Sequence, residues 1–180
     1  TTLEHIQVSY ADDDGFECDN IDLIEDWIME SIKDLIRSDL YDLTALNFAT
    51  YGATIVYLDA EGKRIGPVYN YLKPIDERIP ERIYRRYGGQ DEFCRRTASP
   101  ALGMLNSGMQ ILWLKSEKPE VYSRVKYILH FPQYLSYLIT GKICSEHTSI
   151  GCHTALWDFD SMKYHSWVSD QGLDLPEPIP

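Results

Sequence analysis

The sequence is poor in basic residues and has neither paired cysteines nor a long apolar run. Seventeen Lys and Arg stand against 28 Asp and Glu, a net charge of −11 over 180 residues. Nucleic acids and anionic membranes are held mainly by Lys and Arg neutralising phosphates, so this deficit argues against both as partners. No apolar stretch approaches the ~18 residues of a membrane-spanning helix; the segments 52–58 and 109–114 have the length of core elements. Cys18, Cys94, Cys144 and Cys152 form no CxxC pair, and free thiols in a reducing cytoplasm are the expectation. Phosphate loops of the GxxxxGKS/T and GxGxxG types are missing, as is the GxSxG elbow of a nucleophilic hydrolase. The start, Thr1-Thr2-Leu3-Glu4-His5, has no initiator Met and no signal-peptide pattern, so the chain is expected to begin inside a longer protein.

What the chain does carry is aromatic: 13 Tyr, 5 Phe and 4 Trp. Such rings suit buried layers and sugar-facing clefts equally. The length allows one large domain or two small ones with a substantial core. Residues 1–20 read as an acidic connector with a turn at Asp12-Asp13-Asp14-Gly15. Asn20 then caps a predicted helix that fades by Ser38-Asp39. Leu23, Trp27, Ser31 and Leu35 mark one apolar stripe, and Ile24, Ile28, Ile32 and Ile36 widen it toward a flat apolar partner.

Three strands are predicted next, over 43–49, 54–58 and 65–71, with Asp59-Ala60-Glu61-Gly62 as a turn. After Pro74 the chain reads as helical: 77–87 with Gly88-Gly89 as a stop, a short helix at 91–96, and a buried helix at 107–115. Another opens at Pro119 and runs through Val121, Val125 and Ile128, followed by 131–140 closed by Gly141 and a last helix at 166–171. Residues 143–158 look extended or looped. The fold class is α/β, a mixed sheet with an antiparallel meander and packed helices.

Few residues in this pattern point to chemistry. Cys144, His147, Cys152 and His153 are zinc-ligand types within ten residues, but Cys152 and His153 are adjacent, and on an extended backbone they face opposite ways. Packing or hydrogen bonding, ligand contact and a structural metal stay open there in that order. Asp158 and Asp160 beside Trp157 and Phe159 favour a turn or cap over catalysis. Thr50-Tyr51-Gly52-Ala53, at the end of a predicted strand, is the better candidate, because strand ends deliver polar groups to small ligands. A β-bulge with a packed Tyr accounts for the same residues. Tyr71, at the end of the third predicted strand, suits a sugar face and core packing equally.

Three stretches together resemble the N-terminal domain of the FGGY carbohydrate kinases. The run from Thr50 to Lys63 is similar to that family's strand, turn and strand, whose first loop touches the sugar. Asn106 to Lys115, followed by Pro119-Glu120, is similar to its "LLWLK…P-E" helix. Pro132 to Lys142, then Ser145 to Ser149 and Trp157-Asp158, is similar to its "DYL…LTG…LFD" stretch. Within the family, Thr-Tyr-Gly at 50–52 and Leu-Asn-Ser at 105–107 look most like rhamnulokinase-type members, which phosphorylate deoxy-ketoses.

The resemblance implies an actin-like, ribonuclease-H-like domain and the transfer of the ATP γ-phosphate to a sugar or sugar alcohol. It implies sugar contacts at Tyr51, Gly52 (through its backbone), Tyr71 and Asn106. Gln133 departs from the family's usual Asp, and Cys152-His153 replace a commoner small or basic pair. ATP and Mg²⁺ are implied for the full-length enzyme. Residues 1–180 are expected to be part of the sugar-binding domain, with the first hairpin, the catalytic Asp segment and the second domain outside, so no catalytic residue is assigned. The expected partner is a small sugar or polyol in the cytoplasm, without nucleic acid or membrane, and a homodimer is left open. The alternative is a non-catalytic sugar-binding or interaction domain on the same scaffold; a hydrolase would need a triad or metal for which the sequence gives no frame.

Overall fold

A computed structural model describes residues 10–40 and 42–179 of the chain. The segment 1–9, read as part of an acidic connector, lies outside the described residues. Asp12-Gly15 is the turn of a small hairpin, β1 (Tyr10–Ala11) with β2 (Glu17–Cys18). Gly15 takes the left-handed conformation that a turn of this kind requires (φ +77°). Asp12 is buried and bonded to Lys73, so this segment is a docked hairpin and not a solvated connector.

Helix α1 (Ile21–Arg37) starts where expected, with the Asn20 side chain accepting from the Leu23 amide, and ends at Ser38. Its apolar surface is wider than its contact. Ile21 and Ile28 are buried, while Leu35 and Ile36 remain exposed.

The sheet departs from the meander. Only β3 (Ile55–Leu58) of the three expected strands forms. Residues 42–50 make no ladder, and the stretch expected as the third strand pairs only at its start, through a bridge between Arg64 and Leu58 just before it and a bond from the Ile65 amide to the Tyr57 carbonyl at 2.8 Å. Gly66 (φ +68°) and Pro67, which lacks an N–H, stop that pairing.

After α2 (Arg78–Arg86), α3 (Gln90–Thr97), α4 (Ser107–Glu117) and the single turn α5 (Pro119–Tyr122), the true partner of β3 appears. This is β4 (Tyr127–His130), antiparallel in the register Ile55 to His130 and Leu58 to Tyr127. The helix expected through Val125 and Ile128 is therefore cut short. Helix α6 (Phe131–Thr140) closes on Gly141 (φ +67°) as expected. The rest is short pieces: β5 (Ser145–Glu146), α7 (His147–Ile150), β6 (Trp157–Asp158), β7 (Lys163–Tyr164), α8 (Ser166–Asp170) and β8 (Pro178–Ile179), with β5 and β8 parallel.

All four residues of β3 are buried, and alternation sorts them into two cores. Ile55 and Tyr57 face Met109, Ile111 and Leu114 of α4, with α2, Phe93 and Trp167 behind. Val56 and Leu58 face Ile21 and Ile28 of α1 and Phe131, Tyr134 and Leu135 of α6. The result is three layers, helices on either side of a narrow β ribbon. Burying each such large apolar side chain contributes about 1.5–3 kcal/mol.

Candidate functional site

The turn Thr50-Tyr51-Gly52-Ala53 leads into β3 and is held from both sides. Gln110, buried in α4, donates from Nε2 to the Ala53 carbonyl at 2.7 Å and to Met104 at 2.7 Å. On the other side the Phe131 amide donates to the Thr54 carbonyl at 3.0 Å. That bond sets the Phe131 ring under Tyr51, stacked at 6.1 Å and 10°. Tyr51 is 46% exposed; its outer side meets Tyr71, with ring centroids 6.5 Å apart and tilted by 54°.

Tyr71 sits in a turn and not at a strand end. Asn70 shapes that turn: its Oδ1 accepts from the Leu72 amide at 2.8 Å and its Nδ2 donates to Glu17 of the hairpin at 3.0 Å. Lys73 then locks the turn to Asp12 and Asp14, each at 2.5 Å from Nζ.

These turns enclose a cavity of about 170 Å³, lined among others by Asp19, Tyr51, Thr54, Asn70 and Tyr71. Hydroxyls, an amide, aromatic faces and one carboxylate make a surface suited to a small hydroxylated molecule. The Asp19 charge, with burial and Tyr71 adding to it, raises the Tyr51 phenol above its ordinary value. Tyr51 therefore stays protonated at neutral pH and can donate a hydrogen bond.

Of the residues singled out in the sequence, the fold brings Tyr51 and Tyr71 to one cavity. Gly52 lies in the same turn without positive φ, and a Cβ built there would meet nothing within 4 Å. Neither a bulge nor a close backbone neighbour accounts for it.

Asn106 is elsewhere in its bonding. It is 1% exposed, its Oδ1 accepts from the Leu102 amide at 2.9 Å, and its Nδ2 donates to the His153 carbonyl at 2.7 Å. With its amide engaged on both sides, it clamps the start of α4 to the 151–155 loop and does not line the cavity. Asp19 is the residue that sequence reasoning missed; beside the helix cap Asn20 it looks like one more acid at a helix start.

The remaining candidates resolve into local structure. His153 has φ +45°, so the Cys152-His153 backbone is not extended, and Cys152 Sγ lies 3.2 Å from His153 Nδ1. Asp158 Oδ1 accepts from the Asp160 amide at 2.9 Å while its other oxygen meets Arg96, the turn role expected of it. Gln133 donates to Glu146 at 3.2 Å. Glu146 caps α7, accepting from the Thr148 and Ser149 amides.

A narrow β ribbon between helical layers, with an aromatic and hydroxyl-lined cavity at the entry to its first strand, defines an α/β domain with a candidate small-molecule site. The chain matches the description "FGGY family of carbohydrate kinases, N-terminal domain" over residues 3–177, and it belongs to that family. Rhamnulokinase of Yersinia pestis (strain Pestoides F) is 29% identical over 157 residues, which cover 84% of this chain and 32% of that protein. Rhamnulokinase of Oceanobacillus iheyensis is 23% identical over 170 residues, 91% of this chain and 36% of the relative. Among solved structures, a carbohydrate kinase from Novosphingobium aromaticivorans superposes with a TM-score of 0.76 at 25% identity, covering 92% of this chain and 35% of that one. A ligand-bound xylulose kinase from Lactobacillus acidophilus gives 0.75 at 17% identity, covering 99% and 35%. The chain thus spans about a third of the length of the relatives it matches. Its fold is the actin-like α/β fold of these sugar kinases.

Proposed function

We propose that this chain is the sugar-binding part of the N-terminal domain of a carbohydrate kinase. The whole protein would transfer the γ-phosphoryl group of ATP to a hydroxyl of a sugar or sugar alcohol, releasing ADP, with a deoxy-ketose as the favoured class. The observation that carries this proposal is the meeting of Tyr51 and Tyr71 at one cavity, in a chain that belongs to the family. The aromatic faces would pack on the sugar's C–H surface, and the phenols would bond its hydroxyls.

Phosphoryl transfer relies on a metal, a phosphate cradle and a carboxylate that takes the hydroxyl proton. The described residues do not fit the first two. Their one cluster of three acids, Asp12, Asp13 and Asp14, is bonded to the ammonium groups of Lys73 and Lys118, which leaves it unsuited to Mg²⁺. Gly88-Gly89 leads into α3, but Asp91 and Glu92 fill the first turn of that helix and repel phosphate. No step is therefore assigned to ATP or Mg²⁺ on this chain, whose own work would be to bind and orient the sugar. Absence of disulfides among its four cysteines supports a cytoplasmic setting.

The test is a titration of the chain with deoxy-ketoses, ketoses and polyols followed by amide NMR. Shifts should centre on 51–54 and 69–72, and Tyr51→Ala or Tyr71→Ala should weaken binding about tenfold. Binding that both variants leave unchanged would overturn the proposal.

A further inference from the structure

Among the described residues, the cavity beside Tyr51 has an acidic wall and no basic one. Asp19 lines it together with Tyr51, Thr54, Asn70 and Tyr71, and among the described residues no Lys, Arg or His lines it. Lys73, close by in the chain, is committed to Asp12 and Asp14, and Lys118 to Asp13 and Asp14. Desolvation and then the charge of Glu17 raise the Asp19 carboxyl, and among the described residues no cation or hydrogen-bond donor offsets them. An exposed carboxylate at the cavity wall, with no partner among the described residues, is an acceptor for hydroxyl donors and a poor neighbour for another anion.

We infer that Asp19 makes this site selective for neutral sugars and polyols and turns away anionic ones, sugar acids and sugar phosphates alike. The inference rests on the sugar-binding proposal above and adds the charge class of the ligand. The carboxylate can accept two hydroxyl hydrogen bonds while Tyr51 and Tyr71 supply donors, a full set of partners for a neutral polyol. A sugar acid in the same place brings a second negative charge into a cleft with no countercharge among the described residues, inside a chain that already carries −11. Repulsion of this kind is stronger near a protein surface than in bulk water.

Asp19 also precedes the cap of α1, where a negative charge favours the helix start. Loss of stability therefore cannot serve as the readout, but the ratio of two affinities can.

The experiment titrates the chain and its Asp19→Asn variant with a matched pair, xylitol and xylonate, by amide NMR at low salt. The wild-type chain should prefer xylitol by at least about tenfold, and the variant should narrow that preference by about tenfold. Asp19→Ser, smaller and still polar, repeats the comparison if the first variant folds poorly. Equal binding of the pair by the wild-type chain, or an unchanged ratio in both variants, overturns the inference and leaves the sugar-binding proposal standing. No shift with either ligand, nor with any other sugar of the panel, overturns both.

Discussion

Replacing Lys73 with Met should damage this domain more than any exposed substitution. The ammonium lies 2.5 Å from both Asp12 and Asp14, and the Asp12 side chain is wholly buried. It also sits over the rings of Trp113 (5.0 Å), Tyr69 (5.3 Å) and Phe16 (5.8 Å). Met keeps the stem and its packing, so the change isolates the charge. What is left is a buried Asp12 carboxylate with two backbone donors, the amides of Asp14 and Phe16 at 2.9 Å each. Stranding one partner of a buried pair costs about 3–5 kcal/mol. At ~2–4 °C per kcal/mol for a domain of this size, the melting point should fall by about 6–20 °C. Neutralising Asp12 as well (Asp12→Asn with Lys73→Met) should recover most of the loss, because no unpaired charge remains. Urea unfolding followed by Trp fluorescence measures all three proteins. A loss below about 1 kcal/mol in the single variant, or a double variant no better than it, would refute the claim that a desolvated ion pair holds the hairpin to the Tyr71 turn.

Other outcomes follow from the same geometry. Burial drives His130 down to about 4, with Glu146 opposing and His153 adding, and its Nε2 pairs with Ser107 Oγ at 2.9 Å. Its native pKa lies below the unfolded value, so its contribution is intact above pH ~6.5 and is lost as pH falls toward 4, by up to about 3 kcal/mol. Urea unfolding at pH 7 and 4.5 should show His130→Gln to be less pH-sensitive than the wild type; equal slopes would contradict this. Gly108→Ala would place a Cβ 2.8 Å from Trp167 and 2.9 Å from the Thr154 carbonyl. It should lower stability by about 1–3 kcal/mol in a denaturation assay despite the better helix propensity of Ala; a gain would mean that α4 shifts freely. Incubated with ATP, Mg²⁺ and a ketose panel, the chain should yield no sugar phosphate by mass spectrometry, and any turnover would assign it a catalytic role that it has been denied here.

Helices α1, α2 and α6 were legible because each carried its own punctuation, whereas α7 formed inside a stretch read as extended or looped. Asn20 at one end of α1, Gly141 after α6 and Gly88-Gly89 after α2 are local signals, and local signals survive in a single sequence. The strands were legible only where composition was decisive, as in Ile55-Val56-Tyr57-Leu58. Val121, Val125 and Ile128 recur at helical spacing, and what turns Tyr127–His130 into a strand is the free edge of β3, a long-range fact. Residues 43–49 show the converse: a mostly apolar run does not make a strand without a neighbour to pair with. Tyr51 and Tyr71 stood out as aromatics near turns, and the fold brings them together. The acid that shares their cavity gave no signal, since one more Asp among 28 acidic residues is invisible until the chain folds around it.

The pairing of β3 with β4 also sets a timetable for birth on the ribosome. Ile55 to Leu58 emerge early, yet their hydrogen-bond partners are made roughly seventy residues later. At ~5–20 residues per second the nascent chain spends several seconds with four apolar residues and an unclaimed strand edge in the open. Neither layer of helices can settle before that wait ends, because both pack on the same ribbon. Slow translation across the 59–126 stretch would lengthen the exposure, and a chaperone that shields extended apolar segments would find its target there.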